Sequence, residues 1–496
     1  MQSGMPERHG EFRDLIGRQQ WAELAQRVRL HLAEYPRDAQ GWVFLGQALE
    51  GMGHAAAAWQ AFDRAWMLDP QAQWIDPVRT RLGQVTGPIP DWLVDLLRVR
   101  PVRVVGAVIV RNEAENIERC LQALAPAVDH LVVVDTGSTD DTVTRARALG
   151  ATVVEHEWQD DFGAARRAAE SVLGQDGWVL WVDADEFLDP ADIAVPRIVA
   201  GLFDDVEPPM AFRIGQVNHI GSGIHPNYDM TRMYPLGRHI TWRGVIHEQV
   251  VRDGDDSRLQ RMAVRIRVDH WGYDPQTMQA RRKLDRNIAL LYRWTAQEPQ
   301  NPAAWGFLGR DLFVAGRYEE CIGVLYKAET LGMQDATYAR LPEVRGVLCD
   351  ALVRAQRLDE ARTVAERFVQ SNPEHPNGWF WMAQITLLQA DQMVQKVLQL
   401  TRKGRETAPV YRGVVAFTPQ VMDFSLTVAE ADAWKMLGQW GRAWQLYDRA
   451  LQLNPGHAGV QAQKAHLFQE AQTVIAAAQD KPAGPPQLQV TVKTEG

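Results

Sequence analysis

Between Val104 and Asp183 the chain alternates short apolar runs with amphipathic ones, and this alternation restricts its fold more than any other feature. Val104 to Val110 reads as a buried strand, after which Ile117, Cys120, Leu121 and Leu124 line one face of a helix. His130 to Asp135 is a second strand, and Ser138 or Thr139 can cap a helix running through Leu149. Ala151 to Trp158, a helix over Phe162 to Leu173 and a strand over Trp178 to Asp183 complete a β-α-β-α-β-α-β order. Strands spaced by helices in this way imply a mostly parallel sheet with right-handed crossovers. Such sheets bind ligands outside the carboxyl ends of their strands.

The fourth of these strands ends in Asp183-Ala184-Asp185. Two carboxylates spaced by two along a strand point the same way, and hard oxygens that leave coordination positions open suit Mg²⁺ or Mn²⁺ shared with substrate phosphates. The same pair can equally start a loop and cap the next helix. After Asp185 the pattern loosens into strand-like runs at Met210 to Val217, Ile240 to Val251 and Ala263 to His270, separated by loops containing Gly, Pro and Asn.

The flanks follow a different period. Trp42, Leu45, Gly46, Leu49, Ala58, Phe62 and Ala65, followed by Pro70, have counterparts in the same register for the first seven at Trp305, Leu308, Gly309, Leu312, Cys321, Leu325 and Ala328. Weaker copies surround Ala361, Ala365, Phe368 and Pro373, and again Ala443, Tyr447, Ala450 and Pro455. Small residues let two antiparallel helices approach while aromatic ones fill the groove to the next pair, so the pattern resembles tetratricopeptide repeats. The expected organisation is a helical region with one repeat over 1–90, an α/β domain over 102–280, repeat-like helices over 281–473 and a disordered tail over 474–496.

With 46% hydrophobic and 23% charged residues the composition is that of a soluble globular protein. No apolar run is long enough for a membrane span and the N-terminus lacks a signal-peptide core, which points to the cytoplasm. A net charge of −9 argues against a nucleic-acid partner. Cys120, Cys321 and Cys349 are widely separated and read as small buried residues.

Val110-Arg111-Asn112-Glu113, Val132 to Asp141 and Asp183-Ala184-Asp185, in this order, resemble glycosyltransferase family 2. Trp158, Asp161-Phe162, Ala165-Arg166, His247-Glu248 and His270-Trp271-Gly272-Tyr273 extend the likeness to the bacterial subgroup that joins this domain to tetratricopeptide repeats, some members of which glycosylate peptides. The resemblance implies a GT-A-type, Rossmann-like catalytic domain flanked by all-α repeats. It further implies a metal-dependent inverting glycosyltransferase that takes a nucleotide-sugar donor, with a UDP-sugar favoured, and a peptide, protein or glycan acceptor. The repeats also offer a surface for a homodimer.

Carried onto this chain, the resemblance assigns Val110, Asn112, Glu113, Asp135, Arg166 and Asp183 to the nucleotide sugar, and Asp185, Asp183 and His270 to Mn²⁺ or Mg²⁺. Glu248 is the expected general base and His247 its orienting or metal-linked neighbour. Each has a plainer alternative. Glu113 can complement a helix dipole, Arg166 can lie on a solvated face, Glu248 can open a helix, and His247 and His270 can pack as hydrogen-bonded core residues. Many family members carry a second acid after the residue equivalent to Asp135, and here Thr136 stands in that place. Two other functions compete: a sugar nucleotidyltransferase, disfavoured because Val110 to Ala114 is not a glycine-rich loop, and a non-catalytic repeat adaptor, disfavoured by the retained acids.

Overall fold

The structure is a computed structural model that describes residues 5–218, 227–253, 258–270, 278–410 and 418–479. It divides into two compact units, 1–300 and 301–496. Trp271, Gly272 and Tyr273, and the tail from 480 onward, lie outside the described residues.

Among its described residues the first unit has ten strands: β1 Val104–Val110, β2 His130–Asp135, β3 Thr152–Glu155, β4 Trp178–Asp183, β5 Glu186–Leu188, β6 Met210–Asn218, β7 Asn227–Pro235, β8 Ile240–Arg243, β9 Gln249–Arg252 and β10 Gln260–His270. Eight of them form one mixed sheet in the order β3-β2-β1-β4-β7-β6-β10-β5, and β8 and β9 form a separate antiparallel hairpin. β3, β2, β1 and β4 are mutually parallel, as the βαβ alternation requires, whereas β7 enters antiparallel beside β4. The run expected as one strand over Ile240 to Val251 is interrupted at Gly244 (φ 106°) and His247 (φ 50°), which turn it into the hairpin.

Both faces of the sheet are buried, so its central strands are apolar throughout rather than alternating. Val104, Val108, Val110, Trp178, Leu180 and Val182 point to one face, and Val105, Ala107, Val132, Val134, Val179 and Trp181 to the other. The first face is covered by helices Ile117–Leu124 and Val195–Phe203 and shares one continuous core with the N-terminal helices. The second is covered by helix Phe162–Ala168, its continuation Glu170–Leu173, and the β8–β9 hairpin.

The N-terminal helices include the expected antiparallel pair Ala39–Gly51 and Ala55–Leu68, where Gly46 lies so close to the Phe62 ring that a methyl group would overlap it. This pair is fastened to β10. Arg265, 3% exposed, forms an ion pair with Asp63 (2.5 Å) and another with Asp192 (3.0 Å), and its guanidinium lies over the Trp66 ring at 4.2 Å. A guanidinium this buried is tolerable because two carboxylates neutralise it and an indole face replaces part of its hydration.

Among its described residues the second unit is all helical. Helices Pro302–Val314 and Tyr318–Gly332, then Leu341–Arg354 and Leu358–Ser371, are antiparallel pairs followed by the long Pro376–Thr407, Pro419–Met436, Trp440–Leu453 and Ala458–Gln479. The last helix continues six residues past position 473. Equivalence of the repeats shows in one hydrogen bond made three times across the chain: Trp42 Nε1 donates to the Pro36 carbonyl, Trp379 Nε1 to Pro373 and Gln461 Nε2 to Pro455, each six residues back. All three cysteines are buried and free. Among the described residues, no helix is long and apolar enough to cross a membrane.

Trp66 fills the space between Arg265 and the repeat, and truncating such a side chain removes both apolar burial and the guanidinium's platform. Trp66→Ala is expected to lower stability by about 3 to 5 kcal/mol, read as a shift in the urea midpoint.

Candidate active site

Three strands end side by side at one edge of the sheet. Register pairs Asp135 of β2 with Val110 of β1, and Asp183 of β4 with Ile109 of β1, so their carboxylates start from neighbouring positions at the carboxyl edge. The loops beyond β1 and β2 are tied to each other. Asn112, held at φ 57°, receives the Thr139 amide on its side-chain oxygen (2.8 Å) and donates its own amide to Ser138 Oγ (2.9 Å). The Glu113 amide donates to Thr142 Oγ1 and the Ala114 amide to Asp140. Asp135 is 5% exposed and accepts from the amides of Gly137 (3.1 Å) and Ser138 (3.1 and 3.3 Å), which folds the loop back over the strand end. Thr136, which stands where a second acid is usual, uses its hydroxyl to bond the Val110 carbonyl at 3.0 Å. Val110, Asn112, Glu113 and Asp135 thus belong to one hydrogen-bonded rim.

Arg166 is the centre of the opposite side. Asp161 caps its helix by accepting from the Ala164 amide (2.8 Å), and the first turn packs on the hairpin, where the Phe162 amide donates to the Val245 carbonyl (2.9 Å). Gly163 allows this approach, since a Cβ there would come within 2.6 Å of the Gly244 carbonyl oxygen. Arg166 is only 2% exposed and packs in the corner of two indoles that meet edge-on, 5.0 Å from Trp181 and 4.7 Å from Trp242. Its Nε donates to Glu248 Oε1 (2.7 Å) and its Nη2 to Asp183 Oδ1 (2.8 Å), while Nη1 is buried with no partner among the described residues.

Asp183 is held from the other side by Arg232 of β7, whose Nη2 donates to Oδ2 (2.7 Å) and Nη1 to Oδ1 (3.3 Å). Burial opposes a charge on Asp183, but the guanidinium groups of Arg232 and Arg166 overcome it and hold the carboxyl well below the usual carboxylate range. Glu186, 1% exposed, accepts the Asp183 amide (2.9 Å) and the Gln216 amide group (2.7 Å). Burial, and then the charge on Asp183, push its pKa up.

β4 stops at Asp183, so Asp185 is placed by the following turn rather than by the pleat, and the two carboxylates part company. Asp183 is committed to its two arginines. Asp185 instead faces His270, at the end of β10, with 3.3 Å between Oδ2 and Nε2. The register that sets His270 beside Glu186 on β5 brings this about. The hydrogen bond to Asp185 raises the His270 pKa, burial lowers it, and the charges of Asp185, Glu186 and Asp183 raise it further. A partly exposed carboxylate beside an imidazole is a donor set that fits Mn²⁺, and less closely Mg²⁺, which prefers oxygen alone.

Of the residues singled out in the sequence, the structure brings Arg166, Asp183 and Glu248 into one ion-paired group and Asp185 and His270 into another. His247 lies in the turn just before Glu248 at positive φ. Sequence reasoning missed Arg232, which reads as a surface residue, and made no site claim for Trp181 and Trp242. Only the spacing of Arg232 within a strand beside β4 could have flagged it.

Residues 107–207 match the family model described as Glycosyl transferase family 2. The SPbeta prophage-derived glycosyltransferase SunS of Bacillus subtilis is 28% identical over 223 residues, which are 45% of this chain and 52% of that protein. A TPR repeat-containing protein of Synechococcus elongatus is 31% identical over 212 residues, 40% of this chain and 50% of that one. The chain therefore spans about half the length of the curated relatives it matches. Among solved structures, glucosyl-3-phosphoglycerate synthase from Mycobacterium tuberculosis in complex with Mn²⁺, uridine diphosphate and phosphoglyceric acid is 26% identical over 24% of this chain and 44% of that one, with a TM-score of 0.20. The segment that carries Asp135, Arg166, Asp183 and Asp185 thus matches glycosyltransferase family 2, in a chain with helices resembling tetratricopeptide repeats before and after it.

Proposed function

We propose that the chain is a metal-dependent inverting glycosyltransferase that moves a sugar from a nucleoside-diphosphate donor, a UDP-sugar first among them, to a peptide, protein or glycan acceptor presented by its helical repeats. The observation that carries this reading is the joining of Glu248 and Asp183 through one buried arginine at the carboxyl edge of the sheet. That edge is where open α/β sheets take nucleotides, and the rim formed by Val110, Asn112, Glu113 and Asp135 supplies backbone and side-chain acceptors for a base and a ribose.

Inversion needs a base across the sugar from the leaving group. Glu248 is suited to it: Arg166 fixes Oε1, which leaves Oε2 to take the acceptor's proton as the new bond to the anomeric carbon forms and the bond to the diphosphate oxygen breaks. Arg166 acts mainly as a positioning residue, with Nη1 as the donor left over for an incoming oxygen. Asp183 anchors Arg166 rather than serving as an open ligand. Asp185 and His270 would hold the divalent ion, which supplies charge neutralisation for the leaving diphosphate. Tetratricopeptide-like grooves suit extended or helical polypeptides, which favours a peptide or protein as acceptor.

Three outcomes test this. With Mn²⁺ and a panel of nucleotide sugars, the protein is expected to hydrolyse one donor slowly, and silence across uridine, guanosine and thymidine donors rejects the reading. Asp185→Ala is expected to lose Mn²⁺-dependent nucleotide binding in titration calorimetry, whereas Glu248→Gln keeps binding and loses about 10²- to 10⁴-fold in transfer rate. Arg232→Met, which leaves Asp183 with one guanidinium, is expected to cost about 3 kcal/mol in urea unfolding, the low end for breaking a buried ion pair.

A further inference from the structure

A second group of ligating side chains lies far along the chain from the site just described. His9, on helix Met5–Gly17, and His31, in the last turn of helix Trp21–Glu34, both direct Nε2 at the same oxygen of Asp38, the residue that precedes helix Ala39–Gly51. Each nitrogen is 2.7 Å from Asp38 Oδ2, and the three ligand atoms lie within 4.8 Å of one another. We propose that these three residues form a binding site for a divalent transition-metal ion, zinc(II) by its donor chemistry, that ties the first helix to the repeat behind it.

Three features of the group support this. The rings are clamped, so their nitrogens converge before any ion arrives. His31 stacks on Tyr35 at 5.0 Å and meets Phe12 edge-on at 5.6 Å, and His9 meets Phe44 edge-on at 5.4 Å. The surroundings are apolar on one side and open on the other: His31 is 3% and Asp38 8% exposed, whereas the His9 side chain keeps 16% of its surface and provides the way in. The donor set, two imidazoles and one carboxylate with a further position for water, suits a tetrahedral zinc ion and not Mg²⁺.

Ligation asks little of the fold. Bonds of about 2.0 to 2.2 Å in a tetrahedral site put ligand atoms about 3.4 Å apart, so each Nε2 would withdraw from Oδ2 by about 0.7 Å. His9 lies on the outer helix, where that movement is available. The two imidazoles, now donating from Nε2, would carry their protons on Nδ1 instead. His31 Nδ1 is buried without a hydrogen-bond partner in either tautomer, so ion binding adds no new unsatisfied group. Because the ligands come from three helices and bind only when these are assembled, the ion would stabilise the N-terminal region by mass action.

The test uses the full chain carrying Asp185→Ala, which removes the other candidate metal pair. Zinc titration against a chromophoric chelator is expected to give about one equivalent per chain, unaffected by equal Mg²⁺, with a rise in Tm. Cobalt(II) is expected to give the strong visible bands of a four-coordinate ion. His9→Gln, at a partly exposed position, is expected to keep the metal-free Tm within about 2 °C, to weaken zinc binding by more than about tenfold and to abolish the Tm rise. Should His31→Ala fail to fold, His9→Gln alone decides. No zinc uptake by the Asp185→Ala chain, or equal uptake by His9→Gln, overturns the proposal and leaves the three residues as a hydrogen-bonded helix cap only.

Discussion

The candidate site depends on one buried cation. Arg166 lies in the corner of two indoles that meet edge-on, almost without solvent, and a guanidinium is always charged. Its charge must be answered by fixed anions, and Glu248 and Asp183 answer it. Every nearby choice follows from this. Gly163 permits the helix to reach the hairpin, the β8–β9 turn delivers Glu248 to Nε, and Arg232 supplies the second positive charge that lets Asp183 remain ionised between two cations. An arrangement of alternating charges in a low-dielectric setting is stiff, because displacing one member leaves its neighbour unpaired. Stiffness of this kind suits the role proposed for Glu248 as a base aimed at one acceptor atom.

The separation of Asp183 from Asp185 follows from the same constraint. With both oxygens engaged by guanidinium groups, Asp183 has little left to offer an ion. Asp185, in the turn that follows, pairs with the His270 imidazole and keeps part of its surface in water. The pair is therefore divided, one carboxylate engaged by guanidinium groups and the other by an imidazole, a division that spacing by two does not announce.

Much of the fold was readable in the chain. β1, β2 and β4 begin and end where the apolar runs do, because strands buried on both faces leave no ambiguity of period. The small and aromatic positions of the repeats were equally plain, since helix pairs need them wherever they touch. β7 was not readable. Its Asp229, Thr231 and Arg232 look like a loop, and Arg232 becomes a core residue only through Asp183, a partner 49 positions earlier. The hairpin was misread as one strand because the break at Gly244 and His247 is a matter of backbone sign rather than of hydropathy. In the site, the acids and Arg166 could be named from their order, but not who holds whom. Ion pairing is set by three-dimensional register, and a linear pattern carries charge without its partner.

β10 has a role beyond closing the sheet. Its Arg265 grips Asp63 and Trp66 of the N-terminal repeat, and five residues on, His270 faces Asp185. The strand does not run evenly between them: its register against β6 shifts between Ala263 and Arg267, so Arg265 sits in an irregular stretch of β10. The repeat braces β10 at that stretch, on the strand that leads to the candidate site. Exchanging it for another helical module would alter the footing of His270, because Arg265, in the middle of the same strand, would lose the carboxylate and the indole that hold it.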